Sequence, residues 1–263
     1  MPELINAAWR YRGFVVSSIK GEFKSRLARS RIGTAWVVLQ PLAQVLIFAT
    51  ILSSVLAARV HGIDSNYGYA AYLLGGLLCW SFFAEIVQRC LTVFIDQASL
   101  LKKIKFPRIT LPLVVVGSAL VSNAVLLVVT LGVLPAIGFG PSIHWLWLPL
   151  LVLITAAFAT GLGLLLGTIN VFARDVGQVM VVMLQLWFWL TPVVYPVSIV
   201  PERFKALLAL NPMANLVEAY ESVLVYGVAP SAGLWVPAVL ACLLLLLALH
   251  TFRRASPEMV DAL

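Results

Sequence analysis

The sequence predicts an all-α integral membrane protein with six transmembrane helices. Of its 263 residues, 62% are hydrophobic and only 11% are charged, and the mean hydropathy is +1.00. Such values are too apolar for a soluble domain of this length. The apolar residues also fall into long runs, and a hydrocarbon core takes about 20 apolar helical residues to cross. A water-soluble enzyme is therefore excluded.

The apolar runs define the six predicted spans and one transmembrane domain, residues 1–263. The spans are residues 34–57, 69–95, 111–137, 146–170, 177–195 and 233–252. The longest pieces outside them are residues 1–33 and 196–232, so no room remains for a soluble catalytic domain. Six spans place both termini on the same side of the membrane.

The basic residues predict which side that is. Of the 18 Lys and Arg residues, 14 lie on the side of the termini, three lie on the opposite side, and Arg89 lies inside the second span. Cytoplasmic loops carry the excess of Lys and Arg, so both termini are predicted to be cytoplasmic. Since the basic residues follow topology, we expect no nucleic-acid partner.

Residues 1–33 are predicted to form an amphipathic helix on the membrane surface. Apolar residues, among them Trp9, Ile19 and Phe23, recur mostly four positions apart, with basic residues between them. That pattern is typical of an interfacial helix. The helix either anchors the first span or guards a cytoplasmic entrance.

The second span contains two ionisable residues, Glu85 and Arg89, one helical turn apart. Such groups usually face a protein interior or a water-filled cavity when they lie inside a membrane. At a spacing of four residues the two can pair. They either neutralise each other near the cytoplasmic end or line a substrate path.

A basic cytoplasmic helix, residues 96–108, is predicted between the second and third spans. Asp96 can cap it and Pro107 can stop it. The helix either lies on anionic lipid or docks on a cytoplasmic partner. In the fourth span, Ala159, Gly163 and Gly167 form a small-xxx-small pattern, which predicts close packing between helices.

Residues 196–232 are predicted to form two short helices on the outer side. Pro201 is placed to begin the first, Asn211 and Pro212 begin the second, and Gly227 can end it. Neither helix is long enough to cross the membrane. A re-entrant pair of this kind has to be buried against protein or lie beside an aqueous cavity.

Three adjacent aromatic residues, Trp187, Phe188 and Trp189, end the fifth predicted span, and Tyr195 follows them. Adjacent side chains point around a helix, so at least one should face the interior of the bundle. A flat amphipathic ring in that position can stack on a sugar.

No catalytic residue and no metal ligand is predicted. The chain has no G-x-x-x-x-G-K-[ST] loop, no H-E-x-x-H and no G-x-S-x-G. Its three histidines, His61, His144 and His250, lie far apart. An enzyme acting on lipid at membrane depth would need a cluster of such groups, and Glu85 with Arg89 makes a poor active site.

Several stretches together resemble the permease subunits of ABC exporters for bacterial surface polysaccharides, the type-2 permeases. The stretches are Leu-Leu-Lys-Lys-Ile-Lys-Phe-Pro-Arg at 100–108, Asn-Val-Phe-Ala-Arg-Asp-Val-Gly-Gln at 170–178, Leu-Trp-Phe-Trp-Leu-Thr-Pro-Val-Val-Tyr-Pro at 186–196 and Leu-Asn-Pro-Met at 210–213. The resemblance covers essentially the whole chain. One departure is Glu221, where the family pattern leads us to expect a basic residue, and we assign that position no ionic role.

The resemblance implies an assembly and roles for individual residues. Such permeases pair as homodimers, each copy with a cytoplasmic ABC ATPase, so ATP and Mg²⁺ are expected on that partner and no cofactor on this chain. The implied ATPase-coupling residues are Lys102, Lys103, Lys105, Phe106, Arg108, Arg174 and Asp175. The helix with Trp9, Ile19 and Phe23 would be a gate helix at the cytoplasmic entrance. The implied substrate path has Trp187, Phe188, Trp189 and Tyr195, and we add Glu85 and Arg89.

The cargo implied by the resemblance is a lipid-linked polysaccharide, such as O-antigen, teichoic acid or capsule. It would move from the cytoplasm to the periplasm across the bacterial inner membrane, in contact with membrane lipid. A type-2 exporter for a drug or a small lipid would share the fold and the partner, and it remains the alternative.

Overall fold

The structure, a computed structural model, describes residues 9–29, 67–103 and 107–262, with short pieces at 35–36, 39–40 and 42–43. Its regular elements are helices, which confirms the predicted all-α class. The α-helices are α1 (Arg12–Arg29), α2 (Gly68–Asp96), α3 (Ala98–Lys103), α4 (Thr110–Ala136), α5 (Leu148–Phe172), α6 (Asp175–Leu190), α7 (Glu202–Ala209), α8 (Pro212–Glu221), α9 (Trp235–Ala255) and α10 (Met259–Ala262).

Four of the described helices are long and apolar enough to cross a membrane. They are α2, α4, α5 with the 3₁₀ turn before it, and α9 with the 3₁₀ turn before it. They lie where the second, third, fourth and sixth spans are predicted. The first predicted span, residues 34–57, lies almost wholly outside the described residues, so the number six stays a prediction.

Helix α6 occupies the place of the fifth predicted span and is shorter than predicted. It is apolar but has only 16 residues, and it ends at Leu190 rather than at Tyr195. Pro192 explains the early end, because proline lacks a backbone N–H and disfavours helical geometry in the residue before it. The segment 191–196 therefore leaves the helix.

Helix α5 is the centre of the bundle and packs against both α2 and α9. Small residues allow this close approach. A Cβ atom on Gly163 would lie 2.8 Å from the Cβ of Cys90 in α2, and one on Gly161 would lie 2.8 Å from the backbone nitrogen of Leu245 in α9. Gly167 faces the backbone of Cys90 in the same way. The predicted packing role of Gly163 and Gly167 is confirmed.

Two glycine-to-alanine changes are expected to shift stability in opposite directions. Gly163→Ala should lower the free energy of unfolding by about 1–3 kcal/mol, because the added methyl group overpacks the contact between α5 and α2. Gly132→Ala in α4 is the matched control, since a Cβ there meets nothing within 4 Å and alanine is the better helix former. Thermal unfolding of the detergent-purified proteins measures both. A Gly163→Ala protein as stable as the control would contradict the packing described here.

The bundle has a basic end, defined by Lys102, Arg108, Arg174, Arg253 and Arg254. Contacts bring the helix ends together there. Phe94 of α2 stacks on Phe252 of α9, with ring centroids 5.6 Å apart. Asn170 of α5 donates a hydrogen bond to the carbonyl oxygen of Leu91 at 2.9 Å.

The two short helices predicted after the fifth span are α7 and α8, at the other end of the bundle. Pro201 precedes α7, and the Asn211 side chain caps α8 by accepting a hydrogen bond from the Met213 backbone N–H at 3.0 Å. A π-helical turn, Ser222–Tyr226, extends α8 to Gly227, which adopts a left-handed conformation with φ of 61°. Helix α8 is largely buried against α2, whereas α7 has no buried residue.

Candidate functional site

The predicted coupling region consists of α3 and the loop that follows it. Leu101 points into the core and Lys102 is exposed. Lys103 ends α3 but its side chain lies outside the described part, as do Lys105 and Phe106. Arg108 donates a hydrogen bond to the Ser256 hydroxyl at 3.1 Å.

The sequence predicts that Asp96 caps the start of this helix, and that prediction is wrong. It is the last residue of α2, and its carboxylate accepts a hydrogen bond from the hydroxyl of Thr92, one turn earlier, at 2.7 Å. The two residues lie on one face of α2, which ends one residue beyond the predicted span. The chain then turns at Gln97, whose carbonyl oxygen accepts the first hydrogen bonds of α3.

The turn between α5 and α6 presents Arg174 and Asp175, both exposed. Asn170 holds this turn in place. It is 2% exposed, its amide nitrogen bonds to Leu91 in α2, and its amide oxygen accepts a hydrogen bond from the Gly177 backbone N–H at 2.8 Å. The turn is therefore fixed to α2, and its two charged side chains remain accessible at the basic end.

Helix α1, the predicted gate helix, packs on α4. Ile19 lies over Gly117 of α4, and Phe23 is half-buried. Trp9 precedes α1 and is 70% exposed, with the guanidinium carbon of Arg12 4.8 Å from the centre of its ring. Two of the three predicted gate residues thus face the bundle or its edge, and Trp9 does not.

A polar cluster joins α1 to α2 and α4. Arg89 contacts Glu85 at 3.2 Å, which confirms the predicted pairing, and it also contacts Glu22 of α1 at 2.9 Å. The Ser118 hydroxyl of α4 donates a hydrogen bond to Glu22 at 2.7 Å. About a quarter of each ionisable side chain is exposed. We call Glu22, Glu85, Arg89 and Ser118 the Arg89 cluster.

A cavity of about 190 Å³ opens beside the Arg89 cluster. Its walls are lined by Glu22, Arg89, Thr92, Val93, Asp96, Gln97, Leu111, Val114 and Val115. That volume holds several water molecules. Of the two ionisable residues of the second predicted span, Arg89 thus borders a cavity with a mixed polar and apolar lining, and a cavity is one of the two surroundings expected for such groups.

The predicted path aromatics belong to a larger cluster of rings near the end of α6. The Trp187 ring lies edge-on to Phe83 at 5.3 Å and to Phe158 at 6.4 Å, and Phe188 lies edge-on to Trp80 at 5.5 Å. Trp189 is 60% exposed. Trp187 therefore faces the interior of the helix bundle, whereas Trp189 presents its ring to the outside of the bundle.

Trp187 also joins α6 to the helix pair α7 and α8. Its indole N–H donates a hydrogen bond to the amide oxygen of Asn211 at 2.9 Å. The amide nitrogen of Asn211 donates to the Thr191 hydroxyl at 3.0 Å. Since Asn211 also caps α8, one side chain connects the end of α6 with the start of α8.

The segment 191–196 is buried although it is not helical, so its backbone needs partners. Two tyrosines of α2 provide them. The Tyr69 hydroxyl donates to the carbonyl oxygen of Val194 at 2.7 Å, and the Tyr72 hydroxyl donates to that of Pro192 at 2.8 Å. The Tyr195 hydroxyl bonds to the carbonyl oxygen of Trp189 at 3.0 Å, at the edge of this segment.

Glu221, the residue that departs from the family pattern, lies at the end of α8 against a glycine pair in α2. A Cβ on Gly76 would lie 3.2 Å from its Oε1 atom, and one on Gly75 would lie 3.5 Å from its Cα. Glu221 is 4% exposed, and its Oε1 has no hydrogen-bond partner. Burial raises the pKa of this carboxyl well above its ordinary value, the Tyr72 hydroxyl opposes the shift, and the charge of Glu218 adds to it. Burial therefore favours the neutral form of this carboxyl.

A family model described as ABC-2 type transporter matches residues 15–225. The chain belongs to the ABC-2 type transporter family. The match runs from within α1 into the π-helical turn, so it includes the Arg89 cluster, the coupling region and the aromatic cluster. Among the described residues of this ABC-2 transporter, no group of three His, Cys, Asp or Glu side chains could hold a metal ion.

Relatives of this ABC-2 transporter are permease and transport proteins. An O-antigen export system permease protein RfbA from Myxococcus xanthus is 31% identical over 85% of this chain and 84% of its own length. An RfbA protein from Klebsiella pneumoniae is 28% identical over 79% of this chain and 78% of its own length. A polysialic acid transport protein KpsM from Escherichia coli is 23% identical over 75% of each chain. The apolar helices fit a multi-pass membrane protein of this kind.

The buried Glu221 carboxyl makes the stability of this ABC-2 transporter depend on pH. Its raised pKa contributes to the free energy of unfolding, and this contribution is fully present at low pH. It is lost as pH rises from about 4.3, the pKa in the unfolded chain, toward the raised pKa in the folded protein, by at most about 1.4 kcal/mol per pH unit. Glu221→Gln should remove this part of the slope, whereas Glu258→Gln, at an exposed position after α9, should retain it. Thermal unfolding from pH 5 to pH 8 measures both. Equal slopes in the wild type and Glu221→Gln would contradict a neutral Glu221.

Proposed function

We propose that this chain is the transmembrane subunit of an ATP-driven exporter that moves a lipid-linked polysaccharide from the cytoplasm to the periplasm. The observation that carries the proposal is the similarity, over 85% of the chain, to a permease named for O-antigen export. The proposed mechanism is the one expected of an ABC exporter, in which a separate ATPase drives the movement of the cargo. A cytoplasmic ABC ATPase binds ATP and Mg²⁺, and this chain contributes the route through the bilayer.

The exposed residues at the basic end support an ATPase partner. Lys102, Arg174 and Asp175 are accessible, and each belongs to an element that the core holds in place through Leu101 or Asn170. Short rigid elements with accessible charges can receive a mechanical stroke and pass it to α2 and α5. The excess of Lys and Arg at this end supports its cytoplasmic location in a bacterial inner membrane.

The accessible faces of α6 support a channel formed by two copies of the chain. Only Leu184 of this helix is fully buried, and apolar side chains are exposed along its length. These include Val179, Val182, Met183, Leu186, Trp189 and Leu190. We propose that part of this surface meets a second copy and that Trp189 faces the path between the copies. There its ring would let sugars stack and slide.

A lipid-linked polysaccharide suits both ends of the protein. Its phosphate can be held at the cytoplasmic face by basic side chains through charge-assisted hydrogen bonds. Its sugars then need a continuous path that grips weakly, and exposed aromatic faces provide one. The pair α7 and α8, proposed to be re-entrant at the outer leaflet, would cap the path on the periplasmic side.

Deletion of the gene tests this function. We expect long-chain glycan to be lost from the cell surface and its lipid-linked form to accumulate inside the cell, because synthesis continues while export stops. The control is the deletion strain carrying the wild-type gene. Normal glycan in both fractions of the deletion strain would overturn the polysaccharide assignment and favour an exporter of a drug or small lipid.

A further inference from the structure

The segment that follows α9 turns back toward the coupling region. After Ala255 the chain bends, with the Glu258 backbone N–H bonded to the carbonyl oxygen of Ala255 at 3.0 Å, and then forms α10. Helix α10 contacts both α3 and α5. A short polar segment beyond a spanning helix is usually solvated and poorly ordered unless side chains hold it down.

Two contacts hold this segment down. Met259 is completely buried, in the same apolar cluster as Leu101 of α3 and Phe252 of α9. The Ser256 hydroxyl accepts the hydrogen bond from Arg108, the residue that follows Pro107 at the end of the coupling loop. The segment thus contacts the coupling region both at α3 and after it.

Helix α3 needs such support because it is very short. Six residues form fewer than two turns, and helices of this length are unstable in water without tertiary contacts. Leu101 is the buried side chain of α3, and the helix contacts α2, to which it is directly joined, and α10. Its orientation relative to the bundle therefore depends on the segment after α9.

We propose that the segment Ser256–Ala262 is a positioning element of the ATPase interface, which fixes α3 so that force on α3 moves the bundle. Helix α10, whose Met259 side chain is fully buried, contacts α3, and Ser256 holds Arg108 at the far side of the loop. This inference rests on the proposed function, since it assigns a role to the surface on which the ATPase acts.

Hydrogen exchange of the full chain in detergent tests the positioning directly. In Met259→Ala, amide exchange in residues 98–103 should be about tenfold faster than in the wild type, because α3 opens locally once its support is lost. Ser256→Ala should change it in the same direction by a smaller factor. Ala262→Ser, at an exposed position of the same segment, should leave it unchanged. If Met259→Ala does not fold, the amide exchange of Ser256→Ala decides whether the segment holds α3. Unchanged exchange in the folded variants would overturn the proposal.

The second readout is coupling, which a merely structural role would not alter. In inverted membrane vesicles containing the exporter and its ATPase, Met259→Ala should lower glycan export at least about threefold, while ATP hydrolysis is retained. Equal loss of both activities, or loss of neither, would overturn the proposed role. If the wild type itself moves no glycan, the proposed function fails, and the exchange experiment still decides whether the segment holds α3.

Discussion

Replacing Arg89 with alanine is expected to reduce export at least about tenfold. The change leaves Glu22 and Glu85 facing each other without the cation that binds both, at 2.9 and 3.2 Å. Breaking a buried ion pair costs about 3–5 kcal/mol, and the cost is lower here because about a quarter of each side chain is exposed. The α1 helix would then lose its polar attachment to α2, and the entrance that α1 is predicted to guard would lose a fixed gate.

A double-mutant cycle separates this attachment from a general loss of stability. Glu22→Gln alone should reduce export less than Arg89→Ala. The double variant should be less impaired than the sum of the two single effects, because residues in one ion-pair network are coupled. Lys24→Gln, an exposed position two residues along α1, is the matched control and should export normally. Surface glycan in the complemented deletion strain is the measurement. Additive effects in the cycle would show that Glu22 and Arg89 act independently.

Replacing Trp187 with alanine is expected to destabilise the whole outer half of the protein. Truncating a fully buried tryptophan costs about 3–5 kcal/mol. The packing loss at the partly buried Trp187 is smaller, but the change also removes the hydrogen bond to Asn211. That loss would loosen the connection between α6 and α8. We expect the variant to yield little folded protein, measured by size-exclusion chromatography in detergent, and correspondingly little surface glycan.

Trp189→Ala gives the contrasting result two residues away. Its ring is 60% exposed, so truncation should leave the amount of folded protein nearly unchanged while export falls. Trp187→Phe, which keeps ring packing but not the indole N–H, should lie between the wild type and Trp187→Ala in stability. Normal export by the Trp189→Ala protein would contradict the proposal that Trp189 lies in the path. A normal yield of folded Trp187→Ala protein would contradict a structural role for Trp187.

Much of the architecture could be predicted because hydropathy and helix signals act locally. The helices α2, α4, α5 and α9 lie where long apolar runs predict spans, and α8 begins at Asn211 because a capping side chain and a proline meet there. The early end of α6 had a local cause as well. Pro192 was visible in the sequence, but hydropathy alone extends the span to Tyr195, because Val193 and Val194 are apolar.

The residues that the sequence did not reveal act across large separations. In the sequence Glu22 is one acidic residue among basic ones. Its contact with Arg89 joins residues 67 positions apart in the chain, so no local pattern predicts it. Tyr69 and Tyr72 read as ordinary aromatic residues of a span, yet they hold segment 191–196 from more than 100 positions away. Asn170 carried a weak signal, since an amide in the last apolar turn of a span needs a partner. The sequence does not say which partner.

The aromatic run shows how far residue type can predict role. Three adjacent rings predict that one faces the interior, and Trp187 does. The sequence does not say which ring is held by an internal hydrogen bond, because that depends on Asn211, 24 positions later. The division between a structural Trp187 and an accessible Trp189 therefore comes from the fold.

Transport in inverted membrane vesicles shows whether this chain carries a lipid-linked polysaccharide across the membrane. Vesicles would contain the exporter, its ATPase and lipid-linked glycan labelled metabolically in the deletion strain and exposed on the outer surface. Export would move the label into the lumen. We expect ATP to make the labelled glycan resistant to an added membrane-impermeant oxidant, and we expect no such protection in vesicles without this chain. Equal protection with and without the chain would show that this chain does not carry the glycan.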